Sequence, residues 1–301
     1  MATDPAARPA SRERGLPAPA LIPIAGLVWW VTGFLPWILS GLGHDVLSRL
    51  GTPLAAVPLF TGHVSELLVG SGVGGLTAGF VPLLGRGRRA SRIAAVAAGV
   101  TVTVAIVVMQ SRSALGGTDG RVLDGLTALV VLVTVVALAI GLLATAGRAG
   151  IGIAGAALAG AAPVWLPAVL SQVGLDGPGA FQHVTDGARW VGAAMLAASL
   201  ATIGLRRVAR LVWWPVAIVL AWIVSPTVTA AAYIEPMLRP GMGLPDMLGE
   251  HLSATLDVWR MAASPGVRPL TPWIVAIVAG VVVSLVLDRV RAKDHPVPTE
   301  P

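Results

Sequence analysis

An all-α bundle of about eight transmembrane helices is the fold class that this 301-residue sequence predicts, and three observations predict it. Hydrophobic residues make up 55% of the chain and charged residues 12%, about half the charge of a typical soluble domain. The mean hydropathy is +0.80. Apolar runs of roughly the 20 residues that a hydrocarbon layer demands recur along the chain. A soluble globular enzyme is excluded on the same grounds. There is no cysteine, which excludes disulfides, cysteine-based zinc or iron–sulfur sites and thiol catalysis.

The spans are expected at 21–42, 64–84, 93–110, 124–146, 151–171, 190–205, 211–232 and 271–288. The first follows a Pro- and Ala-rich segment carrying Arg8, Arg12 and Arg14. It is too long for a signal-peptide core and no small-residue cleavage site closes it, so residues 1–20 read as a disordered cytoplasmic tail and 21–42 as a helix that stays in the chain. The second span has Glu66 near its start and reads "GSGVGGLTAGF". The third follows the basic cluster "GRGRRASR". The fourth, "LTALVVLVTVVALAIGLLA", contains no charge. The fifth opens on "GIGIAGAALAGAA" and carries Pro163 and Pro167. The sixth is short. The seventh begins near the Trp213–Trp214 pair and contains Pro215 and Pro226, and the eighth, "PWIVAIVAGVVVSLVL", is again uncharged. The bundle therefore occupies 21–288, with 289–301 as a second cytoplasmic tail.

Loop charge assigns the sides. With the N-terminus in the cytoplasm, the inner segments 1–20, 85–92, 147–150, 206–210 and 288–301 hold 14 of the 21 basic and 5 of the 15 acidic residues, a net of +9. The remainder nets −3. This is the positive-inside distribution of a bacterial plasma-membrane protein with both termini cytoplasmic. Seven spans would put one tight Arg cluster on the wrong side. The pI of about 11.3 is accounted for by these topology signals, so no nucleic-acid partner is expected. The bilayer itself is the expected partner.

The outer loops are the long ones: 43–63, 111–123, 172–189 and 233–270. In the last, Met247, Leu248, Leu252, Leu256, Trp259 and Met261 recur at helical spacing among Asp246, Glu250, Asp257 and Arg260, which predicts an amphipathic helix over 245–263 lying on the outer membrane surface. The first outer loop contains "LGTPLAAVPLF", apolar enough to lie at the interface or dip into it. The ten Trp residues fit a belt at the membrane boundaries.

Small residues dominate two spans. Gly70/Gly74 and Gly75/Gly79 have GxxxG spacing, and Gly152, Ala156 and Gly160 repeat it more loosely. Such stripes let helix backbones approach closely, within the bundle, in a homo-oligomer or against a partner membrane subunit. "GSGVGG" lacks the Lys-Ser/Thr ending and the preceding strand of a phosphate-binding loop, so no nucleotide is expected.

Chemistry has few places to sit. Charges inside a membrane are costly and functional by default, and within the spans Glu66 is the one convincing case, close to His63 and Ser65 at the top of the second span. His44, His63, His183 and His251 all fall on the outer side, each near a carboxylate: Asp45, Glu66, Asp186, and Glu250 with Asp246. His295 falls inside. Imidazole with carboxylate is the equipment of acid–base catalysis and of metal binding, which makes His44, Asp45, His63, Glu66, Glu250 and His251 the catalytic candidates. No resident cofactor is expected. If a metal is held, the thioethers of Met237, Met242 and Met247 with His183 or His251 point to copper, or to haem. Ser225, Thr227 and Thr229 around Pro226 form the best polar cluster within a span and mark a substrate path. Short inner loops leave no coupling helix for an ATPase and no cytoplasmic active site.

Two function classes follow. The first is a carrier for a hydrophobic or lipid-like substrate, or the membrane subunit of an envelope-facing complex; it requires a cavity running from the outer face toward mid-membrane, lined by the Ser/Thr and Pro-kinked segments. The second is a membrane enzyme acting on a lipid-linked substrate from an outward-facing site. It requires at least two His–carboxylate pairs within about 4–6 Å, and a metal site requires three or more converging ligands.

Overall fold

A computed structural model describes residues 15–49, 51, 54–115, 120–174, 180–205, 208–238 and 244–293. Among them the chain folds into α1 (Leu21–Leu39), α2 (His44–Arg49), α3 (Val64–Ala78), α4 (Arg89–Ala114), α5 (Gly120–Leu142), α6 (Arg148–Gln172), α7 (Ala180–Ile203), α8 (Val208–Leu211), α9 (Trp213–Ile234), α10 (Leu244–Ala263) and α11 (Thr271–Lys293). Short 3-10 turns join or extend them, and the described residues include no strand, only one isolated bridge between Leu16 and Gly85.

Among the described residues six stretches are long and apolar enough to cross a membrane: Ala18–Leu39, Thr61–Leu84, Arg89–Ala114, Gly120–Ala146, Arg148–Gln172 and Trp213–Met237. By length and composition this is a multi-pass membrane protein. The expected sixth and eighth spans fall on α7 and α11, which do not reach that standard. α7 is long enough, but Gln182, His183, Asp186 and Arg189 sit in its first half. α11 is apolar only over Thr271–Leu287. The helix expected at 245–263 is α10. Residues 1–14, with Arg8, Arg12 and Arg14, lie outside the described residues, as do Arg206, Arg207, Met242 and His295.

The helices pack in two groups. α1 lies against α3 and α4, and α3 against α5. Their core holds Trp29, Phe34, Leu67, Val96, Val100 and Val130. In the second group α6 packs on α7 and α9, α7 on α11, and α9 on α10, around Leu196, Leu200, Ile203, Trp214, Ala217 and Ala221. α3 and α5 meet α6 and join the groups.

Glycine decides where helices cross. A Cβ on Gly33 would overlap the Gly70 carbonyl, and one on Gly74 the Trp29 carbonyl, so the Gly70/Gly74 face carries α1. A Cβ on Gly75 would stand 2.9 Å from Thr134 O, and one on Gly79 would overlap the Gly141 backbone, so the Gly75/Gly79 face carries α5. α6 divides its glycines likewise: Gly152 meets Ile203 of α7 and Gly160 meets the Ala221 backbone of α9. In lipid, where apolar contact alone does not drive helices together, such backbone approach supplies the dispersion contact that does.

Trp29 and Trp37 are buried rather than placed in a boundary belt, whereas Trp190 and Trp213 are exposed. Trp29 donates to Thr134 Oγ1 across the core at 3.2 Å. Trp30 and Trp37 donate to Ala56 O and Ala55 O at 3.0 and 2.9 Å. These two bonds draw the first long loop onto the bundle. Ala55, Val57 and Leu59 are fully buried there, so the segment expected at the interface packs on protein instead. The reason is polar satisfaction: Ser111 Oγ and Gln110 Oε1 accept from the N–H groups of Val57 and Ala56, and Gln110 Nε2 donates to Leu54 O, bonds that lipid could not supply.

At the opposite end, Leu16 N donates to Leu84 O and Arg86 N to Leu16 O. Arg92 Nη1 donates to Pro82 O and Gly85 O, and Arg89 Nε to Thr145 Oγ1. The basic cluster at the start of α4 thus ties down the turn before it and the end of α5. Gly147, at φ +100°, turns the chain directly into α6.

Candidate functional site

Two cavities have charged side chains in their walls, both at the end where α1 finishes and α3 begins. The first is built on the start of α3. The turn Thr61–His63 leads into the helix, and His63 sits edge-to-face against Phe60 and Trp37, with ring centroids 4.7 and 5.5 Å away. Its Nδ1 lies 2.9 Å from Glu66 Oε2. α3 has no side-chain cap of its own. Glu235, in the turn that follows α9, supplies one: its Oε2 accepts from both Ser65 N and Ser65 Oγ, at 3.0 and 2.8 Å. A carboxylate suits the positive end of a helix dipole. Glu235 was not singled out by the sequence, because its partner lies 170 positions away and no local pattern announces it.

Glu235→Ala is expected to destabilise the protein by about 1–2 kcal/mol, the cost of losing a helix cap. Thermal unfolding in neutral detergent should show a lowered transition, and Ser65→Ala a smaller one. An unchanged transition in Glu235→Ala would mean the cap carries no stability.

A cavity of about 140 Å³ lies beside this cluster, between α1, α3, α6 and α9, with Ser65, Glu66 and Trp165 among its walls. Trp165 Nε1 is buried and has no protein partner. The space and the free donor suit ordered water.

The other candidate residues stay apart. His44 and Asp45 are exposed on α2, His183 is exposed on α7, and Glu250 and His251 lie on α10, exposed and partly buried respectively. Among the described residues His63–Glu66 is the one imidazole–carboxylate pair within 4 Å. No group of three or more His, Asp or Glu side chains gathers there around a point that could hold a metal ion. Met237 lies in the turn after α9 and Met247 on α10.

The larger cavity, about 290 Å³, lies between α6, α7 and α9 under the segment that joins α10 to α11. Small residues open it. Ala159 and Gly160 on α6, Gly192 and Ala193 on α7 and Ala221 on α9 form its deep walls, reaching the middle of each helix. Ser225 and Thr229 line it higher on α9, and Arg189, Arg268 and Trp273 stand at its rim. Of the four path residues, Ser225 and Thr229 therefore face the cavity. Thr229 Oγ1 donates back to Ser225 O at 3.1 Å. Thr227 does not line it; its Oγ1 accepts from Trp259 Nε1 and links α9 to α10.

Pro226 has a different part. Proline carries no N–H, so the carbonyl four residues earlier loses its helical partner. That carbonyl is Trp222 O, and Arg268 Nη1 donates to it at 2.9 Å. The Arg268 guanidinium also lies over the Trp222 ring, 4.9 Å from its centroid. The same indole donates through Nε1 to Ala263 O and packs 4.8 Å from the Trp273 ring. The proline in α9 thus creates the acceptor that fixes an arginine over the cavity mouth. Burial holds the Arg268 guanidinium below the usual arginine value, and it remains charged at neutral pH. Arg189 is exposed and paired with Asp186 at 2.7 Å, whereas among the described residues no carboxylate pairs with Arg268. Neither Arg189 nor Arg268 was singled out by the sequence. The signal available for the second was Pro226, read as a kink rather than as the source of a free carbonyl.

Compared with protein-family models, curated proteins and solved structures, the chain matches none.

Proposed function

We propose that this multi-pass membrane protein binds a hydrophobic, lipid-like molecule in the cavity between α6, α7 and α9, as the binding site of a carrier in a bacterial plasma membrane. One observation carries the reading: a largely apolar space runs from the loop-rich end of the bundle to mid-helix, beside the Pro226 stretch of α9 and with Ser225 and Thr229 as its hydroxyl lining. Apolar walls with a few convergent polar groups are what a small-molecule site requires. The basic residues Arg86, Arg88, Arg89 and Arg92 before and at the start of α4, and Arg148 at the start of α6, fall at the other end of the bundle. The positive-inside rule makes that end cytoplasmic and turns the cavity outward. In this arrangement α7 and α11 complete eight spans and α10 lies along the outer surface. An outward acid–base site is the weaker reading, since His63–Glu66 has no second His–carboxylate pair beside it among the described residues.

The test is equilibrium binding. The protein in phosphatidylcholine nanodiscs is expected to take up about one equivalent of radiolabelled 1-dodecanol above empty discs, and Ser225→Trp, which fills the space, to lose it. Uptake no greater than in empty discs, or full binding by a folded Ser225→Trp protein, would overturn the proposal.

A further inference from the structure

Resting on the cavity reading above, we infer that the molecule bound there is a single-chain amphiphile with an anionic headgroup, a carboxylate or phosphate monoester, and that Arg268 binds the headgroup. The charge at the cavity mouth is unbalanced. Asp186 neutralises Arg189, and Arg268 has no carboxylate partner among the described residues. Among the described residues only Nη1 of its guanidinium has an acceptor, Trp222 O. A guanidinium carries five N–H donors in a fixed planar fork, so four remain for a ligand. Stacking on Trp222 and the bond to a proline-freed carbonyl hold that fork in one place, and pre-organisation is what lowers the entropic cost of binding an oxyanion bidentately.

Below the charge the surroundings change in order. The Ser225 hydroxyl has no partner among the described residues and stands next along α9. Ala193, Leu196 and Ala221 close the deep end with nothing that could solvate a charge. Charge, then hydroxyl, then hydrocarbon is the sequence of chemistry along an acyl amphiphile. The volume of about 290 Å³ falls just under the roughly 300–1,000 Å³ range of ligand pockets, which favours one chain over two. A neutral bilayer lipid would leave the guanidinium without its counter-charge, and a free inorganic anion would leave the apolar depth unfilled.

The experiment compares three probes on the same protein in zwitterionic phosphatidylcholine nanodiscs: dodecyl phosphate, 1-dodecanol and inorganic phosphate. Dodecyl phosphate is expected to bind about tenfold or more tightly than dodecanol, and inorganic phosphate not to compete at millimolar concentration. Arg268→Gln should bring the ratio of the two dodecyl affinities to about one, and Arg268→Lys should keep part of the preference. Retained dodecanol binding also certifies that Arg268→Gln is folded; if that variant does not fold, an undiminished preference in Arg268→Lys, whose ammonium lacks the planar fork, overturns the assignment. Equal affinity of the wild type for the two dodecyl probes overturns the anionic headgroup and leaves the cavity reading standing. Inorganic phosphate that competes as strongly as dodecyl phosphate makes the ligand a free anion and overturns the amphiphile. If neither dodecyl probe binds, the cavity reading fails and this inference with it.

Discussion

Gly79→Leu is expected to prevent the first helix group from assembling, with a loss of stability of about 3 kcal/mol or more, the upper range for overpacking a tight contact. A Cβ at Gly79 would overlap the carbonyl carbon and Cα of Gly141 and stand 2.6 Å from Leu142 N. These are backbone atoms of α5, so no side-chain rotation relieves the clash, and the helices must separate. Separation would also break the burial of Leu76 and Ala137, which pack together beside the same crossing. Gly72 lies within α3, the helix that Gly79 ends, and a Cβ there meets nothing nearer than Val133 Cγ1 at 3.8 Å. Gly72→Ala should be neutral or stabilising, by up to ~1 kcal/mol of helix propensity. Thermal unfolding of both variants in one detergent decides the matter: if Gly79→Leu unfolds with the wild type, the α3–α5 contact is not what holds this half together.

Ser225→Trp carries the second large effect, on ligand binding rather than on folding. Ser225 is partly buried on the cavity wall, and its hydroxyl has no described partner to lose. An indole added there occupies much of the space that a chain would fill, so affinity for 1-dodecanol should fall about 100-fold, equivalent to ~2.8 kcal/mol. Val219 lies on the same helix and is 55% exposed, outside the cavity wall. Val219→Trp adds the same bulk elsewhere and should bind like the wild type. Equal losses in both variants would indicate general damage to α9 instead of a filled site.

The helices were legible in the sequence because lipid imposes one simple demand: about 20 apolar residues with every backbone group satisfied internally. α4, α5 and α6 lie where hydropathy put them. The spacing of Gly70, Gly74, Gly75 and Gly79 marked contact faces, and α1 and α5 occupy them. What hydropathy could not weigh was α7, where Asp186 and Arg189 interrupt a helix whose remainder is apolar. Nor could it show that the segment around Val57 is drawn inward, because that depends on indole donors from α1 and on Gln110 and Ser111.

The site was legible in pieces. Ser225, Thr229 and Pro226 stood out as hydroxyls and a kink within an apolar run. Arg268 looked like one more loop arginine, and the role proposed for it depends on three long-range facts: a carbonyl freed by Pro226, the Trp222 ring and the lack of a carboxylate partner among the described residues. The histidines stood out for their chemistry, yet His44, His63, His183 and His251 stand on or beside four different helices, and among the described residues His63 alone meets a carboxylate. Residue type reveals what a side chain can do, whereas the partner it meets is set by helix crossings that small residues control.

The most direct measurement of the central claim is photo-crosslinking with a dodecyl amphiphile that carries a diazirine at the end of its chain. Binding in the cavity places that terminus at its deep end, so labelled peptides should map to Ala193–Leu196 of α7 and to Ala221 of α9, and labelling should disappear in Ser225→Trp. Label concentrated instead on exposed faces such as Ile106 and Leu132, and unchanged in Ser225→Trp, would mean that the amphiphile only coats the bundle and that the cavity is not its site.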